Sequence, residues 1–186
     1  LLLHLKRLKI KVSMSLTKIV GKLFLPRQKA LERYQGEAVD MQRDVLRRLM
    51  ERGGASEYGR NHLLGNTLSY EDFARNVPVN TYEELKQDID RMRHGEADVL
   101  WPGTVRWFAK SSGTTNDKSK FIPVSHEGLH HIHYAGGFDV VAAYLRNHPD
   151  SRLFDGKGLI LGGSHSPNYN ISNSLVGDLS AILIEN

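Results

Sequence analysis

Apolar and polar positions along the chain change period several times. From about Arg27 to Arg52, Leu31, Tyr34, Ala38, Met41, Val45 and Leu49 recur at spacings of three and four. That spacing predicts a single amphipathic helix packing on a core, opened by Pro26 and ended by Gly53-Gly54. Ser56–His62 (S-E-Y-G-R-N-H) reads as a polar connector. Ser69 and Thr81 each stand three residues before an acid, Asp72 and Glu84. Such capping boxes predict helices over about 70–76 and 82–93, with Pro78 between them. Trp101-Pro102-Gly103 is a turn, after which Val105, Trp107 and Ala109 alternate with Arg106, Phe108 and Lys110 in the period of a strand. Phe121–Val124 is a second extended run. Ser125 caps a helix reaching about Arg146, with Leu129, Ile132, Phe138, Val141 and Leu145 among its apolar residues. His148-Pro149-Asp150 breaks it. Gly158–Gly162 reads as a buried strand and Gly163–Pro167 as a flexible loop. The succession of helices, strand, loop, strand, helix, strand and loop predicts an α/β fold.

Composition narrows the classes. The 186 residues suffice for one sizeable core, and 40% apolar with 25% charged residues is ordinary for a globular chain. There is no cysteine, hence no disulfide framework, thiolate metal site or cysteine nucleophile, which fits a reducing, cytoplasmic setting. No apolar stretch approaches the length a membrane helix needs. The net charge of +4 resides in the first 13 residues, where Lys6, Arg7, Lys9 and Lys11 face no acid. From Met14 onward 21 basic residues balance 21 acidic ones, so no basic stripe suggests nucleic acid. Residues 1–13 read as a non-native or disordered leader, with a membrane-surface anchor as the competing reading. The run Leu179–Asn186 stops in mid-pattern, which reads as a fragment of a longer protein.

The candidate chemistry lies in F-A-K-S-S-G-T-T-N-D-K-S-K-F-I-P-V-S, Phe108–Ser125. Ser111, Ser112, Thr114 and Thr115 surround Gly113, and Lys118 and Lys120 follow. Hydroxyls and backbone N–H groups donate to phosphate oxygens, glycine permits close approach and lysine balances charge. A Walker loop needs glycine directly before Lys-Ser/Thr, which fails here; G-x-G-x-x-G fails too, since only Gly113 is present.

S-S-G-T-T-N-D-K-S-K resembles the phosphate loop of the adenylate-forming superfamily. Five blocks in order, S-E-Y-G-R-N-H, S-Y-E-D-F-x-x-x-V-P-V-x-T-Y-E-E-L, D-V-L-W-P-G, V-R-W-F-A-K-S-S-G-T-T and K-F-I-P-V-S, resemble the plant auxin-responsive family of acyl acid–amido synthetases and its bacterial relatives. The resemblance runs from about Pro26 to Gly163 and suggests a bacterial-type member. It implies that residues 14–186 are the incomplete N-terminal portion of a large adenylation domain. It also implies an ATP-dependent ligase that makes an acyl-adenylate from a small carboxylic acid and then an amide with an amino acid, the present piece being inactive alone. Ser111, Ser112, Gly113, Thr114, Thr115 and Lys120 would hold the ATP phosphates, Lys120 acting catalytically on β/γ charge, with Mg2+ bridging phosphate oxygens. The family often has glycine where Asn116-Asp117 stand here, which leaves open which backbone N–H groups donate.

Two other classes compete. His126-Glu127-Gly128-Leu129-His130 spells H-E-x-x-H, the zinc metallopeptidase pattern. Against it, Gly128 weakens the helix, His133 stands where the extended pattern needs glycine, and no glutamate follows before Glu185. No protein metal site is therefore expected. His131 and His133 read as surface or core imidazoles, or as lining of an acid pocket. A non-catalytic interaction module that retains the loop is the third reading. Ser164-His165-Ser166 lacks a G-x-S-x-G elbow and reads as a loop bordering the substrate pocket.

Overall fold

The computed structural model describes residues 15–67, 69–111, 120–167, 171 and 173–186. The leader at 1–13 lies outside them. In chain order the helices are α1 (Leu16–Leu23), α2 (Leu25–Glu32), α3 (Tyr34–Gly53), α4 (Glu57–Asn61), α5 (Tyr70–Asn76), α6 (Tyr82–Arg93), α7 (His126–Gly128), α8 (Ala135–Asn147) and α9 (Leu179–Glu185). A 3-10 turn spans Leu64–Asn66, and π-helical turns at Leu129–Tyr134 join α7 to α8. The strands are β1 (Trp107–Lys110), β2 (Phe121–Val124), β3 (His165–Pro167) and β4 (Leu175–Gly177). The chain divides into two compact units.

The larger unit, Tyr34–Gly136 with Leu161–Asn186, holds the sheet. Its order is β2-β1-β4-β3, with β1 antiparallel to β2, parallel to β4, and β4 antiparallel to β3. Helices cover both faces. On one, Phe108 is completely buried with Ile89 and Met92 of α6, Val99 and Val105. On the other, Ala109 and Val124 pack with Leu129 and with Ile182 of α9. Alternation along β1 thus serves two apolar layers, the α/β arrangement the element order predicts. The capping boxes hold their positions. Thr81 N–H and hydroxyl both donate to Glu84, at 2.6 and 2.8 Å, and Ser69 Oγ accepts from Asp72 N–H at 3.1 Å.

Ser56–His62 is not a connector. Ser56 is fully buried; its hydroxyl donates to Gly53 O at 2.7 Å and accepts Gly59 N–H at 3.0 Å, starting α4. A Cβ on Gly59 would lie 2.0 Å from Gly53 O, so only glycine lets α4 rest on the end of α3. The expected helix over 27–52 divides at Arg33 into α2 and α3. Its apolar stripe is not core: Tyr34, Val45 and Leu49 are 43–53% exposed, and α3 is buried only at its end, at Met50 and Gly53. The Gly158–Gly162 run is not a strand. Leu159, Ile160 and Leu161 are 79–86% exposed and pair with no strand among the described residues. A short apolar run names burial without naming a partner. β4 and α9 lack the four-residue alternation or repeated period that marks an element.

The smaller unit, the described residues up to Arg33 with Gly137–Ile160, is helical. Arg27 makes a two-pronged pair with Asp139 (2.5 and 2.7 Å), and Phe24 meets Phe138 edge-on at 5.9 Å. Asp155 begins α1 from a distance: its Oδ1 accepts Ser15 hydroxyl at 2.8 Å, Thr17 N–H at 3.1 Å and Thr17 hydroxyl at 3.2 Å. This is N-capping by a residue remote in sequence. Thr17 N–H and Ser15 hydroxyl, with Arg152 beyond, hold the Asp155 carboxyl down at about 2, outweighing the upward push of burial.

A depressed folded-state value means that this stabilisation is complete above the unfolded value of about 4 and is lost as pH falls through about 2. Asp155→Asn is expected to lower the thermal midpoint at pH 7 and to flatten the loss of stability between those two values, read by thermal melts across pH. An acid limb as steep as that of the unaltered chain would contradict the capping role.

Candidate functional site

The site is built where β1 ends. β1 and β4 are parallel with Ala109 beside Gly177, and Gly177 pairs with His165, so the carboxyl ends of β1 and β4 and the start of β3 share one end of the sheet. Ligands of α/β sheets bind outside such strand ends. The connection from Lys110 to Phe121 leaves from there.

Its neck is closed by two hydrogen bonds. Ser111 N–H donates to Lys120 O at 3.0 Å, and Lys120 N–H donates to the Ser111 hydroxyl at 3.2 Å. The β1–β2 ladder thereby gains one rung in which a side-chain oxygen replaces a carbonyl. A serine hydroxyl that accepts one bond keeps its own O–H as a donor. Ser112, Gly113, Thr114 and Thr115 lie outside the described residues, as do Asn116, Asp117 and Lys118.

Lys120 sits with its ammonium 5.4 Å above the Tyr82 ring centroid and makes no ion pair among the described residues. Tyr82 Oη accepts the Phe121 N–H at 3.0 Å. The buried Arg93 guanidinium lies 3.8 Å over the Phe121 ring, bonded to Asp90 at 3.2 Å and Ser174 Oγ at 3.4 Å. Both ends of α6 therefore grip the first two residues after the loop. In the sequence Tyr82 and Arg93 are marked only as residues of a helix. The available signal was an aromatic directly after the Thr81 cap in a block that precedes the loop.

His165–Pro167 form β3 where a loop is expected, and Ser164 directly precedes it. Asp178 N–H donates to Ser164 O at 3.0 Å and Ser164 N–H to Asp178 Oδ2 at 3.3 Å, so this segment is tied to the end of β4. It shares the sheet end with the neck.

The H-E-x-x-H residues form no three-ligand group among the described residues. The His126 and His130 rings meet tilted by 45° with centroids 4.2 Å apart, on the exposed side of the helix. Glu127 turns to Arg52, with Nη2–Oε1 at 2.9 Å. Burial raises its carboxyl most strongly, but the hydrogen bond and charge of Arg52, its own backbone N–H and Trp101 together outweigh this and leave it below the ordinary value. Among the described residues no group of three or more His, Asp or Glu could hold a metal ion. No helix among them is long and apolar enough to cross a membrane.

The chain matches the GH3 family N-terminal domain over residues 27–185. It is 34% identical over 122 residues to indole-3-acetic acid-amido synthetase GH3.15 of Arabidopsis thaliana, covering 64% of this chain and 20% of that protein. It is 34% identical over 97 residues to jasmonoyl–L-amino acid synthetase GH3.3 of Oryza sativa subsp. japonica, covering 52% of this chain and 21% of that one. The solved structure of GH3.15 acyl acid amido synthetase superposes with a TM-score of 0.70 at 26% identity, over 86% of this chain and 28% of the other. The chain thus spans about a fifth of the length of these curated relatives.

Metal analysis of the purified protein is expected to find far less than one zinc per chain. Zinc near one per chain, lost in His126→Ala, would restore the peptidase reading.

Proposed function

The chain belongs to the GH3 family, and from that premise we propose that it supplies the phosphate-binding end of an ATP-dependent acid–amino acid ligase. The fold is the α/β of the N-terminal part of that family's adenylation domain. The relatives named for indole-3-acetic acid and jasmonoyl conjugation support a small carboxylic acid and an amino acid as substrates.

The observation that carries this reading is the neck. Ser111 and Lys120 meet at the carboxyl end of the central strand, and the Lys120 ammonium rests on an aromatic face. A ring attracts a cation without neutralising it. The charge therefore stays available to a phosphate, and Ser111 retains a donor beside it. This donor set fits a polyphosphate. In the reaction, a carboxylate oxygen attacks the α-phosphorus of ATP, the bond to the β-phosphate oxygen breaks, and pyrophosphate leaves. An amino acid's amine then attacks the acyl carbon, AMP leaves, and a proton is released from nitrogen. Ser111, Ser112, Gly113, Thr114 and Thr115 bind and orient the phosphates. Lys120 opposes the negative charge that builds on the leaving oxygens. Magnesium, held by phosphate oxygens, would neutralise further charge. We place the activity in the cytoplasm, where ATP is at hand and a chain free of cysteine loses nothing to reduction. The chain spans about a fifth of the length of its curated relatives, and what is proposed for it is confined to the phosphate end.

The test is pyrophosphate release by the full-length protein across a panel of carboxylic acids, with and without amino acids. Changing both Ser112 and Thr115 to Ala is expected to lower acid-dependent release by about 10²–10³-fold. Unaltered rates would remove the loop from the reaction, and turnover without ATP would point to a hydrolase.

A further inference from the structure

We propose that Tyr82 is a positioning residue for the phosphate loop: its phenol oxygen fixes the backbone at the loop's exit, and its ring holds the Lys120 ammonium ready for a polyphosphate. This rests on the reading of Ser111 and Lys120 as the phosphate end.

The first contact follows from strand geometry. β2 is an edge of the described sheet. In an antiparallel ladder, hydrogen-bonded and non-hydrogen-bonded pairs alternate. Ser111 and Lys120 exchange the bonds of one pair, so Lys110 and Phe121 form the other. The Phe121 N–H therefore points away from β1, to the open side of the sheet. Tyr82 Oη meets it at 3.0 Å. The acceptor is itself fixed. Tyr82 is the first residue of α6, inside the Thr81–Glu84 capping box, and its ring packs on the cluster that contains Phe108 and Ile89.

The second contact concerns charge and freedom. A lysine side chain has a long flexible stem, and binding a ligand must freeze it. Resting the ammonium 5.4 Å over the Tyr82 ring restricts the stem before the ligand arrives. A carboxylate in that place would also hold it, but would compete with phosphate for the same charge. The tyrosine does both tasks from one side chain: one atom for the backbone, one face for the cation.

Tyr82→Phe and Tyr82→Leu in the full chain separate the two contacts. The readouts are amide hydrogen exchange at Phe121, the rate of Lys120 acylation by an amine-reactive reagent followed by mass spectrometry, and calorimetric affinity for tripolyphosphate. Tyr82→Phe keeps the ring. It is expected to speed Phe121 exchange and to leave Lys120 acylation near that of the unaltered chain. Tyr82→Leu is expected to speed both and to weaken tripolyphosphate by about three- to tenfold, the size of a lost cation–π contact. Unaltered Phe121 exchange in Tyr82→Phe, or unaltered tripolyphosphate affinity in a folded Tyr82→Leu, overturns the proposal. If Tyr82→Leu does not fold, the nearly isosteric Tyr82→Phe decides alone through Phe121 exchange. If the unaltered chain binds no tripolyphosphate, the phosphate reading falls, while exchange and acylation still decide whether Tyr82 holds Phe121 and Lys120.

Discussion

The double burial of β1 is the constraint on which the rest depends. Four residues, Trp107–Lys110, run between β2 and β4 with Phe108 buried on one face and Ala109 on the other. Removing a large buried aromatic side chain typically costs about 3–5 kcal/mol, so a strand pinned on both faces has little freedom to slide. A one-residue slip would also exchange Phe108 with Ala109 between layers of different depth. The position of Ser111, one residue beyond the strand, follows from that restraint. So does the position of Lys120, which is tied to Ser111 by both of its backbone groups.

Charge is arranged around this neck so that both cations lie over aromatic rings, Arg93 with hydrogen bonds through its guanidinium as well. Arg93 is buried and answers to Asp90, Ser174 and the Phe121 face; its task is packing. Lys120 has a ring beneath it and no described carboxylate beside it. The contrast with Glu127 is instructive. That carboxylate lies in a sequence pattern that suggests metal chemistry, yet its nearest charged neighbour is Arg52, which satisfies it. Motif spacing states which residues can meet. The partners that packing supplies determine whether they do.

Much of the scaffold is legible in the sequence because it is encoded locally. Ser69, Thr81 and Ser125 cap the helices their spacing predicts, and the alternation around Phe108 marks β1. Readings fail where the outcome depends on a distant partner. Leu159–Leu161 has strand composition but no neighbouring strand among the described residues, and the α3 stripe finds a partner only near Met50. Ser56 looks polar and is buried, because Gly53 and Gly59 let two backbones approach and its hydroxyl joins them. At the site, Ser111 and Lys120 are legible from composition and family likeness. Tyr82 is not, since nothing local says that a residue 38 positions before Lys120 lies beneath it.

The central claim is that the neck at the end of β1 meets a polyphosphate. The most direct measurement is titration of ATP into the isotopically labelled protein, followed by amide nuclear magnetic resonance. Saturable shifts centred on Ser111, Lys120 and Phe121 are expected, with His126 and His130 unmoved. Shifts confined to the histidine helix, or none near the neck at saturating ATP, would contradict the claim.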